Sequence, residues 1–263
     1  MGGLSMKVLF IGDITGQSGV TYVREVLPSL IASLKPDLVI ANGENAAING
    51  RGITEQAVEH LYDSGIEIVT LGNHVWDQKE TQQLLEGDER IVRPANMYPG
   101  APGRGYVFCD VNGQKVAIIN VIGRTYMGLY DCPFRIMDEI LEEIHKCTSF
   151  CIVDFHAEVT SEKLAMGYYL DGKVSAVIGT HTHVQTADDR VLPHGTAYLT
   201  DVGMTGPRNG VLGVKKDLII QRFITQRPVR FELDQGARQF NAILITLNNK
   251  GQAISTERIF IAE

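Results

Sequence analysis

Val8-Leu9-Phe10-Ile11-Gly12-Asp13 is an apolar run that stops at a glycine and a carboxylate. Four consecutive apolar residues ended by a turn signal read as a strand buried on both faces. The period then changes: apolar positions 23, 26, 27, 30, 31 and 34 recur at helical spacing. Pro28 falls inside that pattern and is expected to kink the helix or split it in two. Leu38-Val39-Ile40-Ala41 repeats the strand signature, and Asn42-Gly43-Glu44-Asn45 closes it.

The alternation continues along the chain. A helix is expected near Thr54–Tyr62, with Thr54 as its N-cap and Gly65 ending it. A strand follows at Ile66–Leu71. Asp77 and Glu80 stand at capping-box spacing and predict a helix over Asp77–Leu85. Tyr106–Asp110 and Lys115–Ile122 form a hairpin turned at Asn112-Gly113. Pro133–Cys147 reads as a helix with proline at its first position. Strands at Phe150–Phe155 and Val174–Ile178 flank a helix over Ser161–Leu170. The last third is strand-rich, with Ala197–Thr200, Phe240–Leu247 and Ala253–Ile261. No repeat or linker interrupts residues 6–263, so one α/β domain is expected. Residues 1–5 have the character of an expression scar or a disordered start.

Composition narrows the function. Lys and Arg total 24 against 31 Asp and Glu, a net charge of −7, which disfavours a dedicated nucleic-acid binder. Hydrophobic residues at 44% offset the entropy of ordering the chain, so disorder is not expected. No apolar run approaches a bilayer span, and the N-terminus lacks the charge and h-region of a secretory signal. The four cysteines form no C-x-x-C pair and read as free thiols in a reducing cytoplasm.

Chemistry collects where five strands end, at Gly12-Asp13, Asn42-Gly43-Glu44-Asn45, Gly72-Asn73-His74, His156, and His181-Thr182-His183. Ligands of α/β sheets bind at the C-terminal strand edge, so these clusters can converge. An i, i+2 histidine pair in extended chain would project both imidazoles to one side. His60, His145 and His194 lie among charged or turn residues and are read as surface groups. Asp13, Glu44, Asn45, Asn73, His156, His181 and His183 make a mixed nitrogen and oxygen set without thiolate. That set suits Fe, Mn or Zn, and it is too large for one tetrahedral ion. Two ions sharing a bridging carboxylate fit it. Gly12, Gly16 and Gly19 match neither a P-loop nor G-x-G-x-x-G, and no G-x-S-x-G elbow is present.

The order GD, GEN, GNH, H, HTH resembles the calcineurin-like metallophosphoesterases. Gly12-Asp13-Ile14-Thr15-Gly16, Gly72-Asn73-His74-Val75-Trp76-Asp77, Val153-Asp154-Phe155-His156-Ala157-Glu158 and Thr200-Asp201-Val202-Gly203-Met204-Thr205-Gly206 look like the YmdB-type metallophosphodiesterases among them. The resemblance runs from about Lys7 to the C-terminus. It implies a four-layer α/β/β/α sandwich of two mixed sheets. It also implies one metal on Asp13, Glu44, Asn45 and His183, and a second on Glu44, Asn73, His156 and His181, with Glu44 bridging. Iron is the metal the resemblance favours, with manganese or zinc as alternatives. His74 is implied as the general acid. The wider superfamily begins D-x-H and bridges with an aspartate; here Thr15 and Glu44 replace those residues.

The resemblance further implies hydrolysis of cyclic nucleotides, 2′,3′-cyclic ones first, by attack of a metal-bridging hydroxide. The partner is then a small-molecule phosphodiester, with an indirect role in RNA metabolism and a homo-oligomer both compatible. The rival readings are a phosphomonoesterase on the same metals and a regulatory metal-binding module without turnover. Two smaller questions stay open. Asp77 is read first as a helix cap and second as an orienter of His74. Residues 123–134 either line the substrate pocket or form a surface connection.

Overall fold

A computed structural model describes residues 5–263. Residues 1–4, most of the expected scar or disordered start, lie outside the described part. The chain runs β1 (Met6–Ile11), β2 (Asp13–Ile14), α1 (Gly16–Leu34), β3 (Leu38–Asn42), α2 (Glu55–Asp63), β4 (Ile68–Thr70), α3 (Thr81–Gly87) and β5 (Ile91–Val92). It continues with β6 (Tyr106–Val111), β7 (Gln114–Ile122), α4 (Pro133–Ile144), β8 (Cys151–His156), α5 (Thr160–Tyr169) and β9 (Ala176–Thr180). It ends with β10 (Arg190–Val191), β11 (Ala197–Leu199), β12 (Met204–Pro207), α6 (Lys216–Thr225), β13 (Arg238–Leu247) and β14 (Ala253–Ala262).

Two mixed sheets result. The first has the order β2-β12-β13-β1-β3-β4-β5, with β14 on the other edge of β13, and the second β10-β11-β9-β8-β7-β6. Strands β1, β3, β4 and β5 run parallel, while β13 lies antiparallel between β1 and β14. The C-terminal hairpin therefore completes a sheet that the first strand begins.

The period of two explains the layers. Val8, Phe10, Leu38 and Ile40 pack between the sheets with Ile118, Ile152 and Ile178. Their neighbours Leu9, Ile11, Val39 and Ala41 face the other way, onto α1 and α2 through Val23, Leu27, Val58 and Leu61. On the second sheet Ala117, Ile119, Cys151 and Val153 face Met137, Leu141 and Met166 of α4 and α5. Three cores separate four layers, an α/β/β/α sandwich. Strands in such an interior must be apolar on both faces, hence the unbroken apolar runs.

Three local expectations need correction or extension. Pro28 does not split α1, which is one helix from Gly16 to Leu34. Pro28 and Arg24 both lie on its exposed face, where the Arg24 carbonyl deprived of its N–H partner stays open to water. The helix expected over Asp77–Leu85 begins only at Thr81. Helix α6 was not anticipated, because Ile219 is its one buried residue and the amphipathic signal is correspondingly faint.

Candidate metal centre

The five polar clusters meet at one end of the sandwich. Asp13 follows β1, Glu44 and Asn45 follow β3, Asn73 and His74 follow β4, His156 ends β8, and His181 and His183 follow β9. Both sheets thus contribute C-terminal strand ends, as ligand sites of parallel sheets do.

Contacts link all seven candidate ligands. His156 Nε2 lies 3.0 Å from Asn73 Oδ1, 3.0 Å from His181 Nδ1 and 3.1 Å from Glu44 Oε1. Asn45 Nδ2 lies 3.1 Å from Glu44 Oε1 and 3.3 Å from His183 Nε2. His183 Nε2 is 3.8 Å from Asp13 Oδ1, a buried oxygen with no hydrogen-bond partner. The other Asp13 oxygen accepts from the His181 amide at 3.2 Å. Glu44, Asp13 and His156 are almost wholly buried.

The outer partners of the imidazoles show which nitrogens face inward. Thr180 Oγ1 donates to Asp154 Oδ1 at 2.7 Å, so it accepts from His156 Nδ1 at 2.9 Å. His183 Nδ1 donates to the Leu212 carbonyl at 3.3 Å. His181 Nε2 faces Glu158 Oε2 at 3.1 Å. Each ring has one nitrogen held from outside and turns the other to the centre, the arrangement that fixes metal-binding histidines. Around His156 Nε2 the neighbours are two oxygens and a nitrogen, and one proton on that atom satisfies only one of them. The orphaned Asp13 oxygen adds a further lone-pair donor. This donor set fits divalent cations, with Glu44, His156 and His181 close enough to share one.

Gly72 belongs to the same geometry. A Cβ there would overlap Glu44 Oε2 and His156 Nε2, so a side chain at this position would fill the centre.

His181 and His183 converge differently from expectation. They are not in extended chain; both sit in a turn after β9 with φ of 97° and 63°. Such backbone is strained for non-glycine residues and persists only where surroundings enforce it. The enforcing group is Asp201, whose carboxylate accepts from the amides of Thr182 at 3.0 Å and Gly203 at 2.8 Å. Buried Lys163 in turn holds Asp201 at 2.6 Å and the Thr180 carbonyl at 2.6 Å. Lys163, Thr180 and Asp154 carry no sequence periodicity that marks them as supports.

Burial and charge act together here. Burial raises the Asp13 pKa well above the usual carboxylate range, although His156 opposes it. Burial also works against a charged Glu44, yet His156 draws its pKa down to about 2. Burial likewise disfavours a charged His156, but Glu44 raises its pKa to about 9. Burial and then His156 push His181 down to about 3, and burial lowers His183.

A cleft of about 940 Å³ opens onto Glu44, His74, His181 and His183. None of residues 123–134 lines it. His74 donates its amide to Glu44 Oε2 at 3.1 Å, while its Nδ1 lies 2.9 Å from Asp77 Oδ2. Asp77 is therefore no helix cap, because it lies in the turn before α3 and bonds the ring. Its supposed partner Glu80 instead accepts from the Glu55 amide, at the start of α2. His145 and His194 are exposed and His60 half-exposed, remote from the centre as the sequence suggests.

The family model described as YmdB-like protein matches residues 9–259. The 2′,3′-cyclic-nucleotide 2′-phosphodiesterase of Bacillus subtilis is 48% identical over 257 residues, covering 97% of each chain. A hypothetical protein of Thermus thermophilus has a crystal structure that superposes with a TM-score of 0.93 at 43% identity, covering 98% of this chain and 100% of that one. The crystal structure of a novel phosphatase from Mycoplasma pneumoniae superposes with a TM-score of 0.94 at 34% identity, covering 99% and 95%.

Proposed function

This chain belongs to the YmdB-like protein family, and on that premise we propose that it is a metal-dependent phosphodiesterase that opens 2′,3′-cyclic nucleotides to 3′-phosphates. The observation that carries the reading is the convergence of Glu44, Asn73, His156 and His181 donor atoms within about 3 Å steps, beside the orphaned Asp13 oxygen and under His74.

Asp13, Glu44, Asn45 and His183 would hold one ion, and Glu44, Asn73, His156 and His181 the other. Iron is the preferred metal of the reading, with manganese or zinc as alternatives. When bound, two such ions supply Lewis-acid charge to the phosphoryl oxygens and lower the pKa of water. The chain's own part is positional. Thr180 and Asp154 orient His156, Leu212 orients His183, and Glu158 orients His181. Asp77 holds the Nδ1 side of His74, so Nε2 is the nitrogen left to deliver a proton to the departing ribose O2′. The opened product keeps its phosphate on O3′.

One domain over residues 6–263 carries this site, and four unbridged cysteines suit a reducing cytoplasm. Among the described residues no helix is long and apolar enough to cross a membrane. The test is hydrolysis of 2′,3′-cyclic AMP by metal-loaded protein, with elemental analysis of protein purified without added metal. Release of inorganic phosphate from 3′-AMP at a comparable rate would favour a phosphomonoesterase instead. Absence of turnover with full metal occupancy would favour a non-catalytic module.

A further inference from the structure

Part of the cleft lining is built by the end of α6 and the irregular segment that follows it. Arg222, Arg227, Arg230 and Phe231 all line the cleft. Between Asp217 and Glu232 the sequence holds these three arginines and no carboxylate, in a chain whose net charge is −7. None of the three forms an ion pair among the described residues, and Glu232 is occupied by Lys215 at 2.7 Å. The Arg222 guanidinium lies 5.1 Å from the centroid of the Phe231 ring, which is itself exposed.

The segment is tethered beside the centre. Lys215 donates its amide to the Glu232 carbonyl at 2.9 Å, and Asp234 donates to Gly213 at 2.9 Å. The Leu233 side chain fills the space that Gly16 and Gly50 leave open. The arginines are thus held in the lining of the same cleft as Glu44, His181 and His183.

Charge counting separates two classes of substrate. A cyclic mononucleotide carries one phosphate, and that group is taken up at the histidine-lined end. Three further cations and an aromatic face then have nothing to bind. At about 940 Å³ the cleft is also near the top of the range for small-molecule sites, about 300–1,000 Å³. A cationic track with an exposed aromatic ring is how proteins hold single-stranded nucleic acid.

Resting on the phosphodiesterase reading above, we infer that the substrate class is RNA whose 3′ end is a 2′,3′-cyclic phosphate. Arg222, Arg227 and Arg230 face the backbone phosphates upstream of the reacting end, and Phe231 offers a stacking face for a base. The reaction stays a hydrolysis: water adds to phosphorus, the P–O2′ bond breaks, and O2′ leaves with a proton.

The experiment compares kcat/KM for a short RNA oligonucleotide ending in 2′,3′-cyclic phosphate with that for 2′,3′-cyclic AMP. Wild-type protein and the double variant Arg227→Ala/Arg230→Ala are both used. Binding of the same oligonucleotide as a labelled 3′-phosphate is followed in parallel by fluorescence anisotropy. The oligonucleotide should be preferred at least tenfold, and the double variant should lose about that preference. The wild-type affinity for the oligonucleotide should fall about tenfold for a fourfold rise in salt, the slope of two or three phosphate contacts. Hydrolysis of 2′,3′-cyclic AMP with no preference for the oligonucleotide, or a preference the variant keeps, would overturn this inference alone. Hydrolysis of neither substrate by metal-loaded protein would overturn the phosphodiesterase reading, and this inference with it.

Discussion

His74 Nδ1 lies 2.9 Å from Asp77 Oδ2, three residues along the same turn, and Asp77 is also 3.6 Å from Arg51 Nε. A carboxylate on Nδ1 fixes the orientation and tautomer of the ring and leaves Nε2 as its other nitrogen. His74→Ala should retain metal and cut turnover of a 2′,3′-cyclic nucleotide by about 10²–10⁴-fold. Turnover of bis-p-nitrophenyl phosphate, whose leaving group needs no proton, should fall much less. Asp77→Asn should act in the same direction by about one to two orders of magnitude, at unchanged melting temperature. Parallel kinetics on the two substrates with metal analysis checks both. Loss of metal in the His74 variant would make it a ligand.

The Thr180 hydroxyl bridges His156 and Asp154, which also accepts from Asn42 at 3.0 Å. Thr180→Val keeps the shape and removes the bridge. Metal affinity should fall about 10–100-fold, the effect of losing such an outer partner. Competition against a chelator of known affinity measures it.

Gly72→Ala places a methyl group where Glu44 and His156 approach each other. Elemental analysis should show the variant with less metal than wild type, and activity should fall with it. The fold should survive, because Gly72 lies in the irregular connection after β4, outside any strand or helix. Full metal content in the variant would mean that the centre has more room than these contacts allow.

With metal stripped by a chelator, burial opposes the charge on His156 but Glu44 holds its pKa at about 9, above the ordinary 6.5. A raised folded-state pKa adds stability that is fully present below pH 6.5 and is lost as pH rises through 9. The melting temperature of the stripped protein should therefore fall across that window. A metal ligand must be deprotonated, so metal uptake below pH 9 should release a proton. Calorimetric titration in buffers of different ionisation enthalpy detects the release.

The Lys163–Asp201 pair is buried, and its members also hold the Thr180 carbonyl and the Thr182 amide. Lys163→Met would leave a buried carboxylate unpaired, which costs about 3–5 kcal/mol. Denaturant unfolding should report that loss. Metal content should fall as well, since the strained backbone at His181 and His183 loses its support.

Periodicity and punctuation along the chain determined much of this protein. The two-faced apolar strands, the Asn112-Gly113 hairpin, the Thr54 cap and the polar clusters closing five strands are local patterns, and the structure places them as read. A strand's period of two assigns its faces without reference to the rest of the chain. The direction of a side chain in a turn is not set locally. His181 and His183 face the centre because Asp201 and Lys163, from distant segments, hold the turn at positive φ. Asp77 does not cap, because the helix starts four residues later and its carboxylate pairs with the His74 ring instead. Arg222, Arg227 and Arg230 belong to no sequence motif, and it is the tether around Leu233 that holds their segment at the cleft. In each case long-range hydrogen bonds and packing outweigh the weak preferences of irregular backbone, and those contacts exist only once the sheets have assembled.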